Sequence, residues 1–81
     1  MSSRSDDSRS FTPGHGIFRP DENPDIPFER GDHMRGWSIA VQSALDDFGR
    51  APGKYRADIV LSATVQVENP GHVIEYIANF I

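Results

Sequence analysis

The stretch Tyr55-Arg56-Ala57-Asp58-Ile59-Val60-Leu61-Ser62-Ala63-Thr64-Val65-Gln66-Val67 decides the fold. Tyr55, Ala57, Ile59, Leu61, Ala63, Val65 and Val67 fall on one face. Arg56, Asp58, Ser62, Thr64 and Gln66 fall on the other, with Val60 as the exception. A period of two is that of a half-buried strand, and at ~3.3 Å per residue this one would run roughly 43 Å, beyond the usual strand length. One helix and one or two long strands cannot bury such a face alone. The pattern therefore predicts a core completed by further copies of the chain or by a partner.

Working outward, a helix precedes the strand. Trp37, Ala40, Val41, Ala44, Leu45 and Phe48 recur at helical spacing and form one stripe, which Met34 extends by a turn. Asp32 is placed as N-cap, Gly36 weakens the first turn, and Gly49 suits the position just past the last turn, with Pro52 as a stop. Asp46 and Asp47 sit at the unfavourable end of the helix dipole and read as solvated charge.

Segment 72–81 has two readings. As a helix it would be capped by Asn69 with Pro70 in the first turn. As a strand it would follow a turn at Asn69-Pro70-Gly71-His72. Val73, Ile74, Tyr76, Ile77, Phe80 and Ile81 are β-branched, branched or aromatic, and the preceding strand needs a ladder partner, so the strand is favoured. Residues 1–31 read as a flexible polar and Pro-rich arm. Residues 1–10 are nearly all Ser, Arg and Asp, and Pro13, Pro20, Pro24 and Pro27 punctuate the rest. The arm's apolar anchors are Ile17, Phe18, Ile26 and Phe28; docking on a neighbouring subunit is favoured over the alternative that they are scattered residues of a flexible tail. Residues 32–81 form the expected domain, an α+β unit with one amphipathic helix on a long antiparallel hairpin, completed by oligomerisation.

Composition narrows the function. The chain has 81 residues, a size at which little surface is buried without staples, and no cysteine to supply disulfides, thiolate ligands or a thiol nucleophile. Five arginines face seven acids in residues 1–36, and three basic groups face five acids in 37–81. Neither half offers the basic face that nucleic acid requires. No apolar run approaches the ~20 residues that span a bilayer, and the N-terminus lacks the apolar centre of a secretory signal, which makes the cytoplasm the expected compartment.

Trp37-x-x-Ala40-Val41-x-x-Ala44-Leu45, then Val67, Gly71 and Val73-x-x-Tyr76, resemble the dodecin family of small flavin-associated proteins over about residues 36–81. That resemblance implies a strand, helix, strand, strand order and self-assembly into hollow multi-subunit shells, with flavin as the cofactor. It also implies a flavin-stacking Trp on the strand after the helix and a Gln following the last strand's Tyr. Here the corresponding positions read Tyr55-Arg56-Ala57-Asp58 and Ile77, and residues 11–35 contain no convincing strand, Gly16–Arg19 being the only short candidate.

Tyr55, with Arg56 beside it, is the candidate ligand contact. Trp37, Val41, Leu45, Phe48, Leu61, Val65 and Tyr76 are the candidate core and interface. His15, His33 and His72 lack metal-ligand spacing with Asp21, Asp25 or Asp32, so no metal is assigned, and no Ser/His/acid set supports catalysis. Arg50 and Lys54, between helix and strand, are a candidate contact for a phosphate or an acidic partner. The reading is a non-enzymatic self-assembling protein that holds a small aromatic ligand. The alternative is an accessory module pairing its sheet edge and Pro-rich arm with a different protein. A further alternative is an enzyme site between subunits around His72 and Asp58.

Overall fold

The computed structural model describes residues 13–81. The expected disorder of residues 1–10 lies outside the described residues. The elements are β1 (His15–Phe18), a 3-10 turn (Pro20–Glu22), α1 (His33–Asp46), β2 (Ile59–Gln66) and β3 (His72–Phe80). The three strands form one antiparallel sheet in the order β1-β3-β2, so β1 and β2 are its two edges. The fold is α+β, with a single helix lying on one face of the sheet.

The irregular arm expected over residues 11–31 gives way at His15–Phe18, which pairs with β3 from His15 opposite Asn79 to Phe18 opposite Tyr76. Three of the arm's four apolar anchors pack within the chain, Phe18 buried and Ile26 and Phe28 on the same core, while Ile17 is half-buried opposite Ile77 on the other face of the sheet. Segment 72–81 is a strand. β2 is shorter than its alternation implies. The ladder reaches Asp58, whose amide and carbonyl meet Ile81, while Tyr55 turns aside to pack on Phe48 at 5.9 Å.

Asp32 caps α1, its Oδ1 accepting from the Arg35 amide at 3.4 Å. At the other end Gly49 is not left-handed, and Asp47 is the cap residue. The Asp47 carboxylate is not merely solvated, because its Oδ2 accepts the His15 amide at 3.0 Å and ties the helix end to β1.

Small residues set how closely helix and sheet approach. Gly36, Ala40 and Ala44, at i, i+4 and i+8, are the buried row of α1. A Cβ on Gly16 would run into the Ala40 carbonyl and the Ala44 amide, and one on Gly36 would sit 2.6 Å from the Tyr76 ring. Gly36 therefore weakens the first turn in exchange for room for the largest fully buried side chain. Tyr76 stands among Phe18 (6.2 Å), Phe28 (5.8 Å) and Trp37 (5.4 Å, edge-on), and its hydroxyl shares a 2.8 Å hydrogen bond with His33 Nδ1. Burial, and secondarily the Asp32 carboxylate, hold its pKa above the ordinary tyrosine value.

On the sheet's other face Glu75 joins all three strands. Thr64 Oγ1 on β2 donates to it at 2.7 Å, and Arg19 Nε, just past β1, donates at 2.7 Å. The Thr64 hydroxyl first, and then the Arg19 guanidinium, lower its pKa against the opposing effect of burial. β3, expected to need cover on both faces, meets α1 on one and this polar clamp on the other.

Candidate functional site: the uncovered strand β2

Leu61 stands opposite Ala78, Ala63 opposite Tyr76 and Ile59 opposite Phe80. Directly opposed residues in an antiparallel pair point to the same side. The odd-numbered face of β2 is therefore continuous with the buried face of β3. The helix, however, lies over β1 and β3. Ile59 is 41% exposed, Leu61 47%, Val65 57% and Val67 89%. Leu61 and Val65, expected as core or interface, lie outside the core of the single chain.

α1 reaches towards β2 with the row next to its buried one. Trp37, Val41 and Leu45 follow Gly36, Ala40 and Ala44 at the same spacing, and Trp37 Nε1 donates to the Ser62 carbonyl at 2.9 Å. Trp37, Val41 and Phe48 are half-buried and pack on the core, Tyr76 is at its centre, and Leu45 is 47% exposed. These side chains and the odd face of β2 form an apolar step that no other described residue covers.

The backbone edge of β2 is equally open. Asp58 exchanges hydrogen bonds with Ile81, so even-numbered β2 residues turn their amides and carbonyls towards β3 and the odd-numbered ones turn theirs outward. The one register shift, between Thr64 and Val65, is taken up by an extra residue on β3, because Thr64 faces Glu75 and Val65 faces Val73. The outer edge of β2 is thus uninterrupted. From Ile59 to Gln66 it has no charged residue, proline or glycine, the usual means by which an edge strand resists pairing.

Two hollows flank this strand. At the hairpin end, about 520 Å³ is bounded by Arg30, His33, Val65, Val67, His72 and Val73. His72 Nδ1 is buried there without a hydrogen bond, 3.7 Å from the Glu68 carboxylate. At the opposite end, a hollow of about 330 Å³ is bounded by Leu45, Phe48, Arg50, Tyr55 and Phe80, and a smaller one of about 130 Å³ adds Arg56. Tyr55, the expected stacking residue, is half exposed. The Arg50 guanidinium lies 5.6 Å from its ring centre and its hydroxyl donates to the Ala51 carbonyl at 2.6 Å. Tyr55 and Arg56 therefore border the same small hollow, with Arg50 on the aromatic pair.

The pairing of His72 with Asp58 does not form within the chain. His72 faces Gln66 at one end of the hairpin and Asp58 faces Ile81 at the other. Among the described residues no three His, Asp or Glu side chains gather in a way that would hold a metal ion, and no helix is long and apolar enough to cross a membrane.

The chain's alternation foretold an apolar face on β2 that the single chain leaves bare, but not where on the sheet the helix would lie. The missed signal is the small-residue row Gly36, Ala40, Ala44, which fixes where the helix sits. Comparison with known proteins finds no matching family model, no matching curated protein and no matching solved structure.

Proposed function

We propose that this chain is a non-enzymatic, self-assembling cytoplasmic subunit that completes its core by pairing β2 with a second copy. We further propose that the apolar floor so formed between two helices takes a small aromatic ligand, such as a flavin. The observation that carries the reading is the odd face of β2, which continues the buried face of the sheet yet has no cover among the described residues, on an edge with no charge to deter pairing. A second copy suits this edge because a two-fold antiparallel pair uses the same strand on both sides, and each copy offers the same outward amides and carbonyls. The element order strand, helix, strand, strand is also the one that the resemblance to dodecins implies.

Size-exclusion chromatography with light scattering and a visible-absorbance detector tests the proposal. The expected result is a discrete dimer or larger multiple. A flavin band travelling with it would support the ligand, and a colourless oligomer would keep the assembly and remove the flavin. A monomer at every concentration would contradict self-assembly, and a monomer recovered in a stoichiometric complex with another protein would replace it with the accessory-module reading.

A further inference from the structure

Resting on the self-assembly reading, we infer that two copies join β2 to β2, antiparallel, about a two-fold axis through Ser62, with Arg56 of each copy facing Glu68 of the partner subunit.

Three observations select this register. First, only the odd-numbered residues of β2 turn their backbone groups outward, so hydrogen-bonded pairs across the new seam must join odd to odd. An axis through Leu61, Ser62 or Ala63 satisfies that requirement, whereas an axis between two residues does not. Second, the apolar face must stay continuous. An axis at Ser62 sets Leu61 opposite the second copy's Ala63, Ile59 opposite its Val65 and Ala57 opposite its Val67, which makes one apolar floor between the two helices.

Third, the charges beyond the uncharged strand discriminate among the three. With the axis at Ala63, Asp58 would face Glu68, two like charges directly opposed, which is destabilising. With the axis at Leu61, Arg56 would face Gln66 and Asp58 would face Thr64, and the one opposite-charge pair, Lys54 with Glu68, would need the strand to run on past Tyr55, where the chain has already turned aside onto Phe48. With the axis at Ser62, Arg56 faces Glu68 twice, once on each side. Arg56 is exposed, and the Glu68 side chain is 51% exposed, so both are placed to meet a neighbour. Glu68 has only the 3.7 Å approach of His72 and a hydrogen bond from Gln66 at 3.1 Å to draw it back.

The absence of cysteine makes the test direct. On the axis, the two Ser62 residues form a non-hydrogen-bonded pair, with Cα atoms ~4.5 Å apart, within the range a disulfide spans. Under mild oxidation Ser62→Cys is expected to convert nearly all of the chain to a covalent dimer. Val60→Cys and Thr64→Cys are each expected to stay uncrosslinked alone but to crosslink when mixed, since Val60 faces Thr64 across the seam. Arg56→Glu is expected to weaken association roughly tenfold, replacing two attractions by two repulsions, and adding Glu68→Arg is expected to restore it. An oligomer that forms normally while Ser62→Cys fails to crosslink would overturn this register and leave self-assembly standing. An unmodified chain that is monomeric throughout would overturn the reading beneath it. Failure of the double charge swap to restore association would also overturn the register.

Discussion

Phe18, Tyr76, Ala78 and Phe80, on β1 and β3, lie under the helix at 0–8% exposure, whereas Ile59, Leu61 and Val65, on the same face of the same sheet, remain 41–57% exposed. Alternation is cleaner on β2 than on β3, which also carries Ile77 on its other face, so pattern gives no reason for β2 to be the barer strand. What separates them is where α1 lies. Gly16 and Ala78 in the sheet, with Gly36, Ala40 and Ala44 on the helix, allow one close seam, and a single helix of 14 residues covers only the two strands at that seam. Apolar alternation identifies a face that is to be covered. It does not say whether the cover comes from the same chain.

The largest loss of stability is expected on the covered side. Tyr76→Ala removes the ring at the centre of the aromatic cluster and leaves a cavity, which is expected to cost about 3–5 kcal/mol and to unfold so small a domain in thermal melts. A melting temperature within a few degrees of the parent would mean that the cluster is not the core. On the uncovered side Leu61→Asp acts on a half-exposed position. It is expected to abolish association, because a seam would bury the charge unpaired, while α1, β1 and β3 keep their circular-dichroism signal in the monomer. An oligomer persisting in Leu61→Asp would place the interface elsewhere.

The smallest effect expected is electrostatic. Glu75 has a lowered pKa, so its contribution to stability is present above the ordinary value of 4.5 and is lost as pH falls below it. Glu75→Gln is expected to flatten the dependence of melting temperature on pH between about pH 3 and 5. An unchanged slope would show that the clamp with Thr64 and Arg19 does not hold the sheet's outer face. Tyr76 works in the opposite direction. Its raised pKa favours the neutral form, so that contribution falls as pH rises above the ordinary value of 10.0 and through the folded-state value.

Much of the fold is legible in the chain for physical reasons that can be named. The helix repeats its apolar residues over enough turns to fix its period. β3 is read correctly because a strand as apolar as β2 must have a ladder partner. β1 escapes such reading, since four residues with a glycine among them carry no period of their own, and their place is set by partners about sixty positions away. Asp47 is misjudged for a related reason: its partner, the His15 amide, is distant in sequence. The site is half legible. The apolar face of β2 and its tendency to pair can be read from residues 55–67, but the outward turn of the odd amides depends on which residue of β3 faces which residue of β2.

Whether the outer edge of β2 is an interface is decided by amide hydrogen exchange along the strand, followed at high and at low protein concentration. The account predicts that the even-numbered amides, bonded to β3, are protected at both concentrations. The odd-numbered amides of Ile59, Leu61, Ala63 and Val65 should be protected only where the chain is concentrated enough to associate. Odd-numbered amides that exchange as freely at high concentration as at low would contradict it, showing that the outer edge of β2 stays open.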